Sequence, residues 1–241
     1  LFEQIRNAPY NSVEGKLYSV PEKFGYYGIA YNDSKVDGTD MSSNDVMWNP
    51  KYKGRMAVYD YYFPVIQMIA ISLGMKPSDV NVQNLEEKIR PKLLELKPQV
   101  SLIGDIVGVQ NALVSGNVDM IVAGAEFAVS VLTTERPELQ WTIAENGGLI
   151  WTQGLAIFED SKKKDLANEF VKWVISPEGQ GLLATSDCYW AMPTNSNAAL
   201  NDAQKQILRW DEQPGFLAKS HLSFLPQPEL DSAMLELWME F

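Results

Sequence analysis

The chain has 241 residues and a formal net charge of −11, from 20 lysines and arginines against 31 aspartates and glutamates. Hydrophobic residues make up 46% of the chain, which is typical of a globular protein and argues against disorder. The excess of acids argues against nucleic acid as a partner, because phosphate recognition needs clustered lysine and arginine.

Hydrophobic periodicity predicts strands and helices that alternate along the chain. In chain order they are strands at residues 16–20, 26–31 and 55–59, helices at 65–73, 82–96 and 106–114, a strand at 118–122, a helix at 126–133, strands at 140–144 and 150–158, and helices at 164–175, 197–208 and 230–239. This alternation predicts an α/β fold with a largely parallel sheet.

The helix at residues 164–175 has the clearest apolar stripe. Leu166, Phe170, Trp173 and Val174 recur at helical spacing, so we expect them to form one buried face. Pro177 follows and is expected to begin a second helix, because proline is tolerated in a first helical turn.

Sequence motifs for catalysis are largely absent. The chain lacks the glycine-rich phosphate loops and the serine nucleophile motif, and its single cysteine and single histidine exclude intrachain disulfides and multi-histidine metal sites. Gly147 and Gly148 precede a predicted strand and are interpreted as a turn, and Cys188 as a small packed side chain. We therefore predict no catalytic residue, no metal and no cofactor, although 31 acids leave a carboxylate pair open.

Aromatic residues concentrate beside predicted turns and strand ends. One group spans residues 59–64, where Asp60 is a candidate cap for the following helix, and the others are Trp151 and the pair Tyr189 and Trp190. Ligands of α/β sheets bind beyond the carboxyl ends of strands, and aromatic faces attract cations. The three groups therefore favour a pocket for a cationic ligand over simple core packing.

Five segments together resemble a known family. They are residues 20–32 (VPEKFGYYGIAYN), 48–54 (WNPKYKG), 116–120 (GNVDM), 147–157 (GGLIWTQGLAI) and 175–180 (ISPEGQ). In this order the chain resembles the extracellular solute-binding proteins of bacterial ABC importers, in the spermidine/putrescine-binding branch.

The resemblance implies a two-lobe α/β fold that traps a small-molecule solute between its lobes by hinge closure. Residues 1–31 and 153–198 are expected in lobe 1, and residues 32–152 and 199–241 in lobe 2. The family's opening strands and helices have no counterpart in this chain, so we expect the N-terminal part of lobe 1 to be missing. The resemblance further implies a monomer, a membrane permease as partner and a periplasmic or extracellular location.

Departures from the family pattern concern charge. The family's central tryptophan is kept as Trp151, but Gln153 stands where polyamine binders have aspartate, and Tyr61 where they have another acid. A buried ammonium without a counter-charge is costly, so we expect a smaller amine-containing solute within the polyamine-like class. The predicted ligand-binding residues are Glu22, Asp60, Tyr61, Glu126, Trp151, Gln153, Tyr189 and Trp190. One of the three acids in this set, Glu22, Asp60 or Glu126, is the candidate to replace the missing counter-charge for the amine.

Two other functions stay open at this point. A carboxylate pair in the same fold would give a hydrolase, which turnover assays on glycosides and amides would reveal. A sensor or interaction module would use the fold without a solute, and a thermal-shift screen would separate it from a binding protein.

Overall fold

The computed structural model describes residues 2–241, and the chain divides into two compact units. Unit 1 contains Leu1–Gly25 and Trp151–Gln213, and unit 2 contains Tyr26–Ile150 and Pro214–Phe241. The sequence analysis placed its lobe boundaries after residues 31, 152 and 198, and that assignment of lobes stays a prediction.

The α/β fold is confirmed, with short strands interleaved with helices. The strands are β1 (Ser12–Val13), β2 (Lys16–Leu17), β3 (Val20–Asn32), β4 (Met56–Tyr59), β5 (Val100–Gly104), β6 (Met120–Gly124), β7 (Leu139–Thr142), β8 (Leu149–Leu155), β9 (Met192–Pro193) and β10 (His221–Leu222). The helices are α1 (Glu3–Arg6), α2 (Tyr62–Ser72), α3 (Val82–Asn84), α4 (Arg90–Leu96), α5 (Ile106–Val114), α6 (Glu126–Thr133), α7 (Lys164–Val174), α8 (Pro177–Ala184), α9 (Asp202–Ile207), α10 (Gln213–Lys219) and α11 (Pro228–Glu240).

The sheet of unit 2 combines parallel and antiparallel pairs. Strand β4 lies parallel to both β5 and β6, and β3 pairs antiparallel with β6 and β7. Parallel strands end at the same edge of a sheet, so the carboxyl ends of β4 and β6, at Tyr59 and Gly124, lie side by side. The segments that follow them, the turn before α2 and the start of α6, are therefore neighbours.

The core of unit 2 lies between this sheet and the helices α2, α4 and α11. Helix α2 is buried from Phe63 to Ile71 on all its faces, which is typical of a helix enclosed by other elements. Helix α11 adds Leu230, Met234 and Leu237 to the same core. The packed helices hold the ends of β4 and β6 in place.

Unit 1 is organised by the first half of β3. Lys23 and Phe24 pair with Pro193 and Met192 of β9, and β1 and β2 form a hairpin. Buried Gln180 of α8 bonds to three backbone segments and to one hydroxyl: its amide donates to the carbonyls of Glu22 and Val174, and its oxygen accepts from the Thr194 hydroxyl and the Asn195 N–H. This fully satisfied amide fixes β3 and β9 against α8.

Most predicted elements are found, with differences at their ends. The helices predicted at residues 106–114 and 126–133 are confirmed with the same bounds. The sequence analysis missed strand β5. Its residues alternate between half-buried and exposed, and it pairs with β4 as the last strand on that side of the sheet. The strand expected at residues 16–20 is interrupted, because β2 ends at Leu17 and β3 begins at Val20.

The buried face predicted for α7 is wrong. Leu166 is 67% exposed, Phe170 57% and Trp173 49%, and only Val174 of that stripe is buried. The periodicity predicted the helix and its apolar face correctly, but no part of residues 2–241 covers that face. Cys188 is also exposed rather than packed.

Exposure predicts a strong contrast between two phenylalanines of unit 1. Phe24→Ala should lower the free energy of unfolding by about 3–5 kcal/mol, because a fully buried ring leaves a cavity. Phe170→Ala should change it by less than about 1 kcal/mol, because that ring is already in contact with solvent. Urea denaturation of the two variants measures the difference, and equal losses would mean that α7 is covered in solution.

Candidate functional site

Four aromatic rings of unit 2 form a closed cluster beside the ends of β4 and β6. Tyr27 of β3 lies 6.4 Å from Tyr61 and 5.7 Å from Phe127, measured between ring centroids. Tyr59 completes the circle at 6.2 Å from Tyr61 and 6.0 Å from Phe127. All four contacts are edge-to-face, which is the favourable arrangement for aromatic pairs. We call these residues the aromatic cluster.

The turn between β4 and α2 brings Tyr61 to the surface of the aromatic cluster. The Asp60 N–H donates to the carbonyl of Gly104 at 2.8 Å, and the Tyr61 N–H donates to the carbonyl of Tyr59 at 2.7 Å. Helix α2 begins after Tyr61, which makes no side-chain cap, so the predicted capping role of Asp60 is wrong. Tyr61 is 40% exposed and gives the aromatic cluster an accessible ring.

Two carboxylates border the aromatic cluster, and each is held by an aromatic side chain. Asp60 accepts a hydrogen bond from the indole N–H of Trp238 at 3.1 Å. Asp231 accepts one from the Tyr62 hydroxyl at 2.6 Å, and this bond raises the pKa of Tyr62 to about 12. Asp231 and Trp238 are seven residues apart on α11, so they share one face of that helix. The sequence analysis missed both.

Two tyrosines of the aromatic cluster, Tyr27 and Tyr61, stay neutral at physiological pH. Burial raises the pKa of Tyr27 well above its ordinary value, with smaller contributions from Tyr61, Tyr59 and Glu126. Burial also raises the pKa of Tyr61, with Tyr59 and Asp231 adding to it. Neutral phenol rings present an electron-rich face to a cation.

Glu126, a predicted ligand-binding residue, is fully buried in the first turn of α6. Its two carboxyl oxygens lie 3.1 and 3.2 Å from the backbone nitrogen of Tyr26, which donates to them. Burial raises the pKa of Glu126 well above the ordinary value, and its hydrogen bonds oppose that shift only in part. The next residue, Phe127, belongs to the aromatic cluster, so Glu126 also positions that ring.

Two of the predicted residues of unit 1, Tyr189 and Gln153, are in contact. The Tyr189 hydroxyl donates to the side-chain oxygen of exposed Gln153 at 3.3 Å. The ammonium of Lys23 lies 4.3 Å from the centroid of the Tyr189 ring. Trp151 is half-buried and Trp190 is buried, with 8% of its surface exposed. The sequence analysis did not single out Lys23, and its place next to Glu22 in β3 gave no signal for a contact with Tyr189.

The predicted site residues thus divide between the units. Unit 2 holds Asp60, Tyr61 and Glu126, while the remaining five lie in unit 1: Glu22, Trp151, Gln153, Tyr189 and Trp190. The role of all eight in ligand binding stays a prediction. Within residues 2–241 the acidic, cysteine and histidine side chains form no group able to hold a metal ion.

Residues 4–213 match the bacterial extracellular solute-binding protein family, and the chain belongs to that family. Among the helices of residues 2–241, none is long and apolar enough to cross a membrane.

Curated relatives are named for polyamines. The chain is 24% identical over 203 residues to spermidine/putrescine-binding periplasmic protein 1 of Haemophilus influenzae, covering 83% of this chain and 54% of the relative. It is 27% identical over 163 residues to the spermidine/putrescine-binding periplasmic protein of Escherichia coli, covering 67% and 45%. The chain therefore spans about half the length of these relatives.

A solved structure supports the fold. The substrate-binding protein of a spermidine/putrescine ABC transporter from Streptococcus pneumoniae superposes with a TM-score of 0.80 at 21% identity, covering 94% of this chain and 69% of that one. At this identity the similarity shows the fold, which is that of the two-lobe periplasmic binding proteins.

The buried carboxyl predicts a pH dependence of stability. Because the folded-state pKa of Glu126 is raised, folding favours its protonated form. Its contribution is fully present below the unfolded pKa of about 4.3 and is lost as pH rises through the folded value. Glu126→Gln removes this titration, so the variant should gain stability relative to wild type across that window, by at most about 1.4 kcal/mol per pH unit.

Urea denaturation at several pH values between acid and neutral measures this difference. Glu169→Gln is the control, because Glu169 is exposed on α7 and pairs only with Lys172. A stability difference between Glu126→Gln and wild type that stays constant with pH would contradict the prediction.

Proposed function

We propose that this chain is the substrate-binding component of an ABC importer and captures a small, polar, amine-containing solute of the polyamine-like class. Membership of the solute-binding family supports the first part, and the names of the relatives support the second. The proposal includes solute capture between lobes by hinge closure, delivery to a membrane permease, action as a monomer and a periplasmic or extracellular location.

The aromatic cluster with its two bordering carboxylates is the observation that supports an amine-containing solute. The rings of Tyr27, Tyr59 and Tyr61 offer cation–π contacts, each contributing about 0.5–2 kcal/mol. Asp60 and Asp231 lie beside them and add negative potential. Aromatic faces next to carboxylates are an arrangement that recognises an ammonium group.

A small amine is favoured over a long polyamine because position 153 of unit 1 carries no acid. Gln153 stands where the resembled polyamine binders have aspartate, and its side-chain oxygen already accepts from Tyr189. An amide brings no full charge, and charge-assisted hydrogen bonds are roughly twice as strong as neutral ones. The positive charge of a second ammonium group bound at Gln153 would therefore meet no full negative charge there.

No observation favours the hydrolase or the sensor. Of the candidate acids, Glu126 is fully buried on a backbone N–H, and Asp60 accepts from Trp238.

Removal of the accessible ring should weaken amine binding. Tyr61→Ala deletes one cation–π contact, so the affinity for putrescine should fall by about 2- to 30-fold, as measured by calorimetry. Tyr18→Ala is the matched control, since Tyr18 is an exposed tyrosine of unit 1 outside the aromatic cluster. If Tyr61→Ala and wild type bind putrescine with equal affinity, the aromatic cluster is not part of the solute site.

Restoring the missing acid should improve polyamine binding. Wild type should bind spermidine and putrescine poorly, and Gln153→Asp should raise both affinities because it adds a full counter-charge. The gain should shrink as salt increases, since screening acts over about 8–10 Å. Calorimetry at low and high salt tests this, with Gln153→Asn as the uncharged control. Tight wild-type binding without a gain in the aspartate variant would contradict the interpretation of position 153.

A further inference from the structure

Lys23 is an unusual lysine, because only 8% of its surface is exposed. It lies in β3 within unit 1, where its backbone pairs with Pro193 of β9. Its ammonium lies over the face of the Tyr189 ring, 4.3 Å from the centroid. Lysines are rarely buried to this extent unless they are paired.

No carboxylate of residues 2–241 forms an ion pair with Lys23. Its neighbour Glu22 is the nearest acid in sequence, but successive side chains of a strand point to opposite faces. A buried ammonium without a counter-charge is destabilising, and a cation–π contact offsets only part of that penalty. Lys23 therefore places an ammonium group without an ion-pair partner at the Tyr189 ring.

Lys23 and Gln153 both contact Tyr189, and both side chains offer hydrogen-bond donors. The lysine ammonium has donors and no acceptor. The Gln153 oxygen accepts from the Tyr189 hydroxyl, which leaves the two amide N–H donors of Gln153 available. An ammonium beside amide donors matches the acceptor oxygens of a carboxylate.

We propose that Lys23, with Tyr189 and Gln153, forms a subsite for the acidic group of the solute. The solute class is then an amino-acid-like zwitterion, whose carboxylate binds at Lys23. This inference rests on the proposed function and narrows it, since a diamine such as putrescine carries no group for Lys23.

Three probes of similar length separate the acid and amine contributions: butyrate carries only the acid, putrescine only amines, and 4-aminobutyrate both. Each is titrated by calorimetry into wild type, Lys23→Met and Lys16→Met. Methionine keeps the length of the side chain and removes its charge. Lys16 is the matched control, because it also lies over a tyrosine of unit 1, at 5.1 Å from the Tyr18 centroid, but is exposed.

We expect wild type to bind 4-aminobutyrate more tightly than putrescine or butyrate. Lys23→Met should lower the affinity for 4-aminobutyrate and butyrate at least tenfold and leave putrescine unchanged or tighter, while Lys16→Met matches wild type. Gln153→Asp is a second variant, which should weaken butyrate and 4-aminobutyrate by placing a negative charge beside the subsite.

The titrations test the acidic subsite and the proposed amine binding independently of each other. If butyrate and 4-aminobutyrate bind equally well to wild type and Lys23→Met, or if neither binds wild type, the acidic subsite is overturned whatever putrescine does. If both acids bind through Lys23 but putrescine and Tyr61→Ala show no amine contribution, the subsite holds and the proposed amine function fails.

Discussion

The structure depends on how one buried backbone amide is satisfied. Strand β3 is 13 residues long and buried along nearly all of it, so each of its N–H groups needs a partner. At Tyr26, the first residue of unit 2, the partner is the Glu126 carboxyl. A side chain on α6 thereby substitutes for a neighbouring strand. The start of α6 is consequently fixed against β3, and this contact sets Phe127 against Tyr27 in the aromatic cluster.

Close approach of backbones adds a second constraint on the same strand. A Cβ at Gly28 would lie 2.6 Å from the carbonyl oxygen of Thr142, so β7 can approach β3 only because that residue is glycine. Gly147 has a φ of +99°, and a Cβ there would lie 2.3 Å from the carbonyl oxygen of Lys219. This confirms the predicted turn at Gly147 and explains why β8 begins where it does.

Local signals were sufficient for α5, which begins with a strong cap. The side chain of Asp105 accepts from the Gly108 N–H at 2.7 Å, and the bounds of α5 were predicted correctly. The apolar stripe of α7 was visible as well, but periodicity says which face is apolar and not whether anything covers it. Burial depends on residues distant in sequence, so the exposure of Phe170 was beyond local reasoning.

The candidate site shows the same limit. The run from Tyr59 to Phe63 was recognised as a cluster, because its members are adjacent in sequence. Its partners Tyr27 and Phe127 come from other elements, and only the pairing of β3 and β6 brings them near. The sequence analysis overlooked Lys23 for a similar reason, since its contact partner Tyr189 is distant in sequence.

Charge distribution within the units matters more for recognition than the net charge of −11. Unit 2 places aromatic rings beside Asp60 and Asp231, an environment that favours a cation, whereas in unit 1 the ammonium of Lys23 has no ion-pair partner and lies over the Tyr189 ring. An acidic protein repels a free anion at distances within the Debye length of about 8 Å, which slows its approach to Lys23. A zwitterion has no net charge and avoids this repulsion, while its carboxylate still matches the ammonium of Lys23. The net charge of the chain therefore favours the proposed zwitterion over a free anion as the solute that reaches Lys23.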